Sequence, residues 1–269
     1  MMRKSFPGVL IRGGGDLASG VAYRLFKGGF SLLIVERENP RTVRRRVAFA
    51  SAVYRGKMEV EDVEARLVSD YRQFFKASMN EEIPVTTLPD APDIISRYNP
   101  RVIIDARMIK NRPEDTSREE ADVVIGLGPG FSAGDNVDAA VETNRGHYLG
   151  RALYEGSPDP YTGRPGEIAG ESNKRVIHAP VSGRFQAEVS IGDMVVPGDT
   201  IGYVEKEELI AEIEGIIRGL LKSGLQVEEK TKLADIDPRK ERSYVDHISD
   251  KALAVGGGAL ESVLHLLPE

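Results

Sequence analysis

The sequence predicts an α/β fold, a doubly wound parallel sheet followed by a separate all-β domain. Three observations carry this. Short apolar runs, GVLI (Gly8–Ile11), SLLIVE (Ser31–Glu36), RVIIDAR (Arg101–Arg107) and ADVVIGL (Ala121–Leu127), are separated by segments of helical spacing, the pattern of a parallel sheet. A glycine-rich stretch, GGGDLA, joins the first run to the first helical segment. After residue 175 the chain repeats itself without a gap at an offset of 32 residues, which means two halves sharing one core.

The first part takes its elements in order. GVLI reads as a buried strand. DLASGVAYRLFKGG places Leu17, Val21, Leu25 and Phe26 at helical spacing, with Gly28 and Gly29 as the stop. SLLIVE is the second strand. RVAFASAVY is apolar but ambiguous, and EARLVSDYRQFF reads as a strand running into a helix. IPVTTLPD is a short strand entering a loop, and APDIISRYN a short helix. RVIIDAR and ADVVIGL close the sheet. The following DNVDAAVETNRGHYLGRALYEG fits a helix or a pair of strands around NRGH, and SPDPYTGRPGEIAG is a turn-rich loop. In the repeat, Ile177 matches Leu209, Gly183 matches Gly215, Phe185 matches Ile217, Gly192 matches Gly224 and Ile201 matches Leu233. The expected segments are residues 1–135, a connection 136–174 lining the crevice, the repeat 175–238, and a tail 239–269 with a helix from Gly258 that packs back on one of the domains.

Composition narrows the chemistry. The chain has 269 residues, 41% of them apolar and 29% charged, as in a globular protein. Thirty-six basic against 42 acidic residues leave a net charge of −6, which argues against a nucleic-acid binder. No apolar run has the length of a membrane span, and the patch after the first basic residues is too short for a signal segment, so a cytoplasmic protein is expected. Without cysteine there is no disulfide, thiolate zinc site, cysteine-ligated cluster or persulfide. With only His147, His178, His247 and His265 as histidines, no metal site is expected.

The first glycine loop carries the dinucleotide fingerprint. Gly13, Gly15 and the small Ala18 stand at its spacing between strand and helix, with Asp16 opening the helix, and Glu36 follows 21 residues after Gly15. In such a Rossmann-like domain Gly13 makes the tight turn, Gly15 admits a pyrophosphate, the helix N-terminus favours the anion and Glu36 accepts from ribose hydroxyls. Arg37 and Arg45, in an arginine-rich run with Arg41, Arg44 and Arg46, would bind a phosphate, as in NADP, or else solvate a helix.

The second constellation stands at the other strand ends. Asp105 and Arg107 end one strand, and Gly126, Gly128 and Gly130 end the next. Backbone N–H groups of Gly126, Leu127 and Gly128 would form an anion nest. Pro129 has no N–H to offer and no GK[ST] follows, so this is not a P-loop; the alternative is a turn that redirects the chain. Further on, Arg145 is expected at the ligand. Glu142 and His147 are candidates for a general acid/base pair or ligand contacts, against a histidine that merely fixes a turn.

Two resemblances follow from these residues. The repeat resembles the biotinyl/lipoyl barrel-sandwich hybrid, but its EKEE connection lacks the methionines of the modified-lysine motif. Lys206 is read as a solvated turn lysine, and the domain as one that docks a partner or forms a homo-oligomer. The stretches DARM, IGLGPGFSAGDNVDAAVETNRGHYLG, GIIRGLL and ADIDPR resemble the YqeB-type family of accessory proteins of selenium-dependent molybdenum hydroxylase systems, distantly similar to XdhC/CoxI. The resemblance implies a maturation protein that binds a nucleotide or a molybdopterin (dinucleotide) form in its crevice and passes it to a molybdenum hydroxylase apo-enzyme. It implies no known reaction. The alternatives are an NAD(P)-dependent oxidoreductase and, further off, a biotinyl-type carrier.

Overall fold

A computed structural model of the chain describes residues 7–88, 91–163 and 166–267. They belong to two compact units, each assembled from separated stretches: Met1–Pro40, Ala48–Tyr161 and Ile248–Glu269 in the first, Arg41–Val47 and Thr162–His247 in the second. The four contiguous segments expected from sequence are therefore divided differently. The first six residues, parts of the expected loops at 89–90 and 164–165, and the last two residues lie outside the described residues.

The first unit holds one nine-stranded sheet. Its strands are β1 (Val9–Arg12), β2 (Leu32–Glu36), β3 (Lys57–Val60), β4 (Val63–Leu67), β5 (Ile83–Thr87), β6 (Val102–Asp105), β7 (Val123–Leu127), β8 (Ala139–Val141) and β9 (Ala152–Leu153). Their order is β3-β4-β5-β2-β1-β6-β7-β8-β9. Strands β4 to β8 pair in parallel, while β3 pairs antiparallel with β4 and β9 antiparallel with β8.

The uniformly parallel, doubly wound Rossmann-like sheet is thus corrected to a mixed sheet, for a reason of connection length. Parallel neighbours need a crossover, whereas a tight turn can only return the chain antiparallel. Glu61 and Asp62 are all that separates β3 from β4, with Glu61 at φ 54°. No helix lies between β6 and β8 either: the crossovers to β7 and β8 run through loops and a short 3-10 turn at Arg118–Glu120.

Helices α1 (Asp16–Lys27), α2 (Ala52–Arg55), α3 (Tyr71–Met79), α4 (Ala91–Tyr98) and α5 (Asp250–Leu266) complete this unit. Successive side chains on a strand point to opposite faces. Leu10, Leu33, Ile103 and Val124 pack with Phe74 of α3, Ile94 of α4 and Phe131. The alternate residues Val9, Ile11, Ile34, Ile104 and Ile125 are also fully buried, so both faces of the central strands are covered. The ambiguous RVAFASAVY stretch becomes two 3-10 turns and the short α2, and the segment around NRGH is the strand pair β8–β9.

Helix α5 starts eight residues before Gly258, at Asp250, where the Ser249 hydroxyl caps it by accepting from the Ala252 N–H. Its glycine run hid the helix, because interior glycine is unfavourable. Here it serves backbone contact. A Cβ on Gly20 of α1 would stand 2.3 Å from the Ala252 carbonyl oxygen, and one on Gly256 would stand 2.5 Å from the Gly20 carbonyl oxygen. Among the described residues no helix is long and apolar enough to cross a membrane.

The second unit has strands β10 (Val176–His178), β11 (Gly183–Ala187), β12 (Met194–Val195), β13 (Thr200–Val204), β14 (Glu207–Ile210), β15 (Gly215–Leu220), β16 (Gln226–Val227) and β17 (Lys232–Asp237). They make two four-stranded antiparallel sheets, β10-β17-β15-β12 and β14-β13-β11-β16. Each sheet draws two strands from each half of the repeat. The shared core is apolar, with Phe185, Ile201, Ile217 and Leu233 at repeat-matched positions. The expected barrel-sandwich hybrid is corrected to these two separate sheets. Lys206 sits in the two-residue turn between β13 and β14, beside Glu205 at φ 55°.

The arginine run is consumed within this unit. The Leu220 N–H donates to the Val43 carbonyl, and Arg45 Nε donates to the Leu220 carbonyl at 2.6 Å. Buried Arg44 donates to the Tyr244 and His247 carbonyls, and Arg46 to Ile191 and Asp246.

Two measurements test these packings. Gly256→Val should lower the stability of the first unit by about 1–3 kcal/mol or more through overpacking, read as a lower urea midpoint. Burial pushes the Asp237 carboxyl up, but the Arg239 side chain and N–H and the nearby Arg218 outweigh it, so its pKa lies below the ordinary value. Its stabilisation is then complete above the unfolded value of about 3.9 and is lost as pH falls through the lower folded value. Asp237→Asn should flatten the acid-side loss of stability of the second unit, measured by urea unfolding between about pH 5 and pH 2.

Candidate functional site

The carboxyl ends of β1 and β2, the segments that follow β5 and β6, and α4 frame a cavity of about 390 Å³ in the first unit. Its lining includes apolar Leu10, Val35, Leu88 and Ile95 and charged Arg12, Glu36, Arg37, Arg107 and Asp115. Open parallel sheets offer such a crevice because loops diverge from the strand ends.

The first glycine loop borders it. Gly13 takes φ +90°, a left-handed conformation that glycine adopts without strain. Its N–H donates to the Val35 carbonyl at 2.8 Å. Gly14 lies against the chain at residue 50: the Ala50 N–H donates to its carbonyl at 2.8 Å, and a Cβ on it would meet the Ala50 nitrogen at 2.9 Å. Gly15 is the N-cap of α1, without a side-chain cap hydrogen bond, and Asp16 stands in the first turn. Glu36 at the end of β2 accepts from the Gly14 N–H at 2.9 Å and from the Arg37 N–H at 2.7 Å. Each oxygen keeps further acceptor capacity. The Arg37 guanidinium stands 3.9 Å from the same carboxylate.

A network that the sequence only half revealed forms the charged wall. Asp105 is fully buried. It accepts from the Arg107 N–H and guanidinium and from the Thr116 hydroxyl, the last at 2.8 Å. Arg107 reaches across to Asp115 with two further bonds at 2.6 and 2.8 Å. Hydrogen bonding to Asp115, then to Asp105, pushes the Arg107 guanidinium further up against the opposing effect of burial. In return Arg107 holds the Asp115 carboxyl below its ordinary value. Arg12, at the end of β1, donates to the Asp115 carbonyl and to Thr116, and pairs with Glu120. Arg12, Asp115 and Thr116 were missed. Arg12 was recoverable, as the first polar residue after the GVLI run, whereas Asp115 and Thr116 sit in a loop without a pattern.

The second glycine loop does something else. Gly126 is a strand residue paired with both Asp105 and Ala140, and a Cβ on it would lie 2.0 Å from the Phe131 ring. The Gly128 N–H already donates to the Val141 carbonyl at 3.0 Å. A Cβ on Gly130 would meet the Ile109 and Asn111 carbonyl oxygens at 2.7 Å. The anion nest is therefore corrected to a ladder end and a turn that seats Phe131 in the core. None of the three glycines lines the cavity described above.

Glu142, Arg145 and His147 also separate. Buried Glu142 accepts from the Asn144 N–H at 2.5 Å and the Asp159 N–H at 2.6 Å, clamping the loop that leads from β8 to β9 and on to residue 159. Arg145 pairs with Asp250, the first residue of α5, at 2.8 and 3.1 Å. His147 is exposed, edge-on to Tyr148. The acid/base pair is corrected to a structural clamp and a surface histidine. Arg45 belongs to the second unit. Gly13, Glu36, Arg37 and Arg107 are the predicted residues that the cavity gathers. Among the described residues, no three histidine, aspartate or glutamate side chains gather as a metal site.

These features define an α/β scaffold with a cavity of mixed polar and apolar lining at the ends of its central strands, and the sequence comparisons give the relatives. No known family model matches the chain. It is 43% identical over 271 aligned positions to "Uncharacterized protein YqeB" of Escherichia coli K12, across 99% of this chain and 50% of that protein. The chain is thus a relative of YqeB over nearly its whole length and spans half the length of that relative. Among solved structures it is similar to a succinylglutamatedesuccinylase/aspartoacylase of Rhodobacter sphaeroides, at a TM-score of 0.24 and 14% identity, over 86% of this chain and 53% of that one. An aspartoacylase family protein of Mesorhizobium loti gives 0.25 and 8%, over 87% and 85%. Likeness of this degree assigns neither ligand nor activity to this chain.

The clamp reading has a direct measurement. Glu142→Ala should lower stability by about 1–3 kcal/mol, because two backbone N–H groups lose a charged acceptor. His147→Ala should leave the thermal midpoint unchanged. Equal losses in both, read by calorimetry, would return the two residues to one shared task.

Proposed function

We propose that this chain is an accessory protein that binds a nucleotide or a molybdopterin-type phosphorylated cofactor in the cavity at the ends of β1, β2 and β6, and that it serves the maturation of a molybdenum hydroxylase, as in the YqeB-type and XdhC/CoxI resemblances. The observation that carries the binding is the convergence of Gly13, Glu36, Arg37 and Arg107 on one cavity with an apolar wall. A planar ring packs against Leu10, Val35 and Ile95, hydroxyls donate to Glu36, and negative charge meets the guanidinium groups. The accessory role rests on the resemblance of DARM, IGLGPGFSAGDNVDAAVETNRGHYLG, GIIRGLL and ADIDPR to the YqeB-type family. Because the chain has no cysteine, sulfur or selenium delivered in such a process comes from the partner. A cytoplasmic setting belongs to the same proposal.

Binding is read as a thermal shift. A panel of ADP, NAD, NADP, CTP and molybdopterin forms should contain one member that stabilises the wild type, by about 2.7 kcal/mol at a hundredfold excess over Kd. Glu36→Ala should reduce that shift by tenfold or more in affinity, about 1.4 kcal/mol. A panel without effect on the wild type would overturn the proposal.

A further inference from the structure

We infer that the Asp115 carboxylate occupies an anion subsite of the cavity, and that a phosphate group of the ligand takes its place on Arg107. The inference rests on the proposed binding of a phosphorylated ligand to this cavity. Its ground is an asymmetry between two aspartates on the same guanidinium. Asp105 is fully buried and binds Arg107 from the protein side, with Thr116 as a further donor. Asp115 binds Arg107 from the cavity side, through both carboxylate oxygens, with 67% of its side chain exposed. Arg107 and Asp115 both line the cavity, and Arg12 lines it beside them.

The consequences differ for the two. A buried carboxylate stripped of its partner is left uncompensated, so Asp105 stays on Arg107. An exposed carboxylate returns to water at little cost. A phosphate offers more charge and more acceptor oxygens to the same planar donors and forms charge-assisted paired bonds with them. Asp105 fixes the guanidinium in orientation and Asp115 holds its outer edge in the absence of ligand. Asp115 thereby sets a threshold: ligands lacking a phosphate fill the apolar wall but leave the Arg107–Asp115 pair intact.

The test compares the wild type, Asp115→Ala, Asp115→Asn and, as a control on a surface ion pair, Asp122→Ala, which loses only its contact with Arg101. Calorimetry uses inorganic pyrophosphate, ADP and adenosine. Removing the competitor should tighten ADP and pyrophosphate about tenfold in both Asp115 variants, leave adenosine unchanged, and be absent in Asp122→Ala. Unchanged or weaker ADP and pyrophosphate binding in both Asp115 variants overturns the subsite. Equal binding of ADP and adenosine by all four proteins does the same while leaving the binding proposal standing. Pyrophosphate binding gained in the Asp115 variants, with no nucleotide bound by any of them, supports the subsite and removes the nucleotide reading.

Discussion

The carboxylate of Asp105 is the point on which the first unit's candidate site depends. It ends β6 in the middle of the sheet, fully buried, where an isolated charge would be strongly unfavourable. Arg107 and Thr116 satisfy it. In doing so they fix both ends of the loop that leaves β6, so the guanidinium is presented to the cavity by a group that cannot follow it into water. Arg12 fastens the same loop from β1 through Thr116 and Glu120. The charged wall is therefore held from two adjacent strands. Breaking a buried pair by removing one partner typically costs about 3–5 kcal/mol, which places these residues on the link from packing to function.

Glycine has three distinct uses in this unit. Gly13 supplies a positive φ at the cavity edge. Gly126 and Gly130 make room, for the Phe131 ring and for two carbonyl oxygens respectively. Gly20 and Gly256 let two helix backbones touch, where propensity alone would remove them. Only the first of these borders the cavity. Glycine-rich runs of similar appearance thus serve quite different ends, and the distinction lies in what a Cβ would strike.

That distinction also explains how much could be read from the chain alone. The apolar strands were legible because burial on both faces leaves continuous apolar runs. Strand direction was not, because an apolar run has no polarity; the two-residue gap between β3 and β4 was the available signal. The 32-residue repeat was legible, since β10 to β13 recur as β14 to β17 at that spacing, but how the strands pair into two sheets was not. Glu36 was found because strand, glycine loop and acid stand at a fixed distance. Arg45 misled, because its partner, the Leu220 carbonyl, lies 175 residues away. Glu142 misled for a related reason: its two N–H donors are backbone groups of its own loop, and a carboxylate used that way has the same letter as a catalytic one.

The cavity's own charges narrow what it can hold. Arg12 and Arg107 are each already matched with carboxylates, Glu120 for the first and Asp105 and Asp115 for the second. An incoming cation would meet guanidinium groups that stay charged at any ordinary pH. An anion that binds Arg107 needs a carboxylate to leave, and exposure selects which one. Glu36 faces the reverse constraint. Its oxygens hold the Gly14 and Arg37 N–H groups in place, so what it adds for a ligand is acceptance from neutral donors such as hydroxyls. A ligand suited to these groups offers donors to Glu36, negative charge to Arg107 and apolar surface to Leu10, Val35 and Ile95. The proposed nucleotide or phosphorylated pterin has those properties.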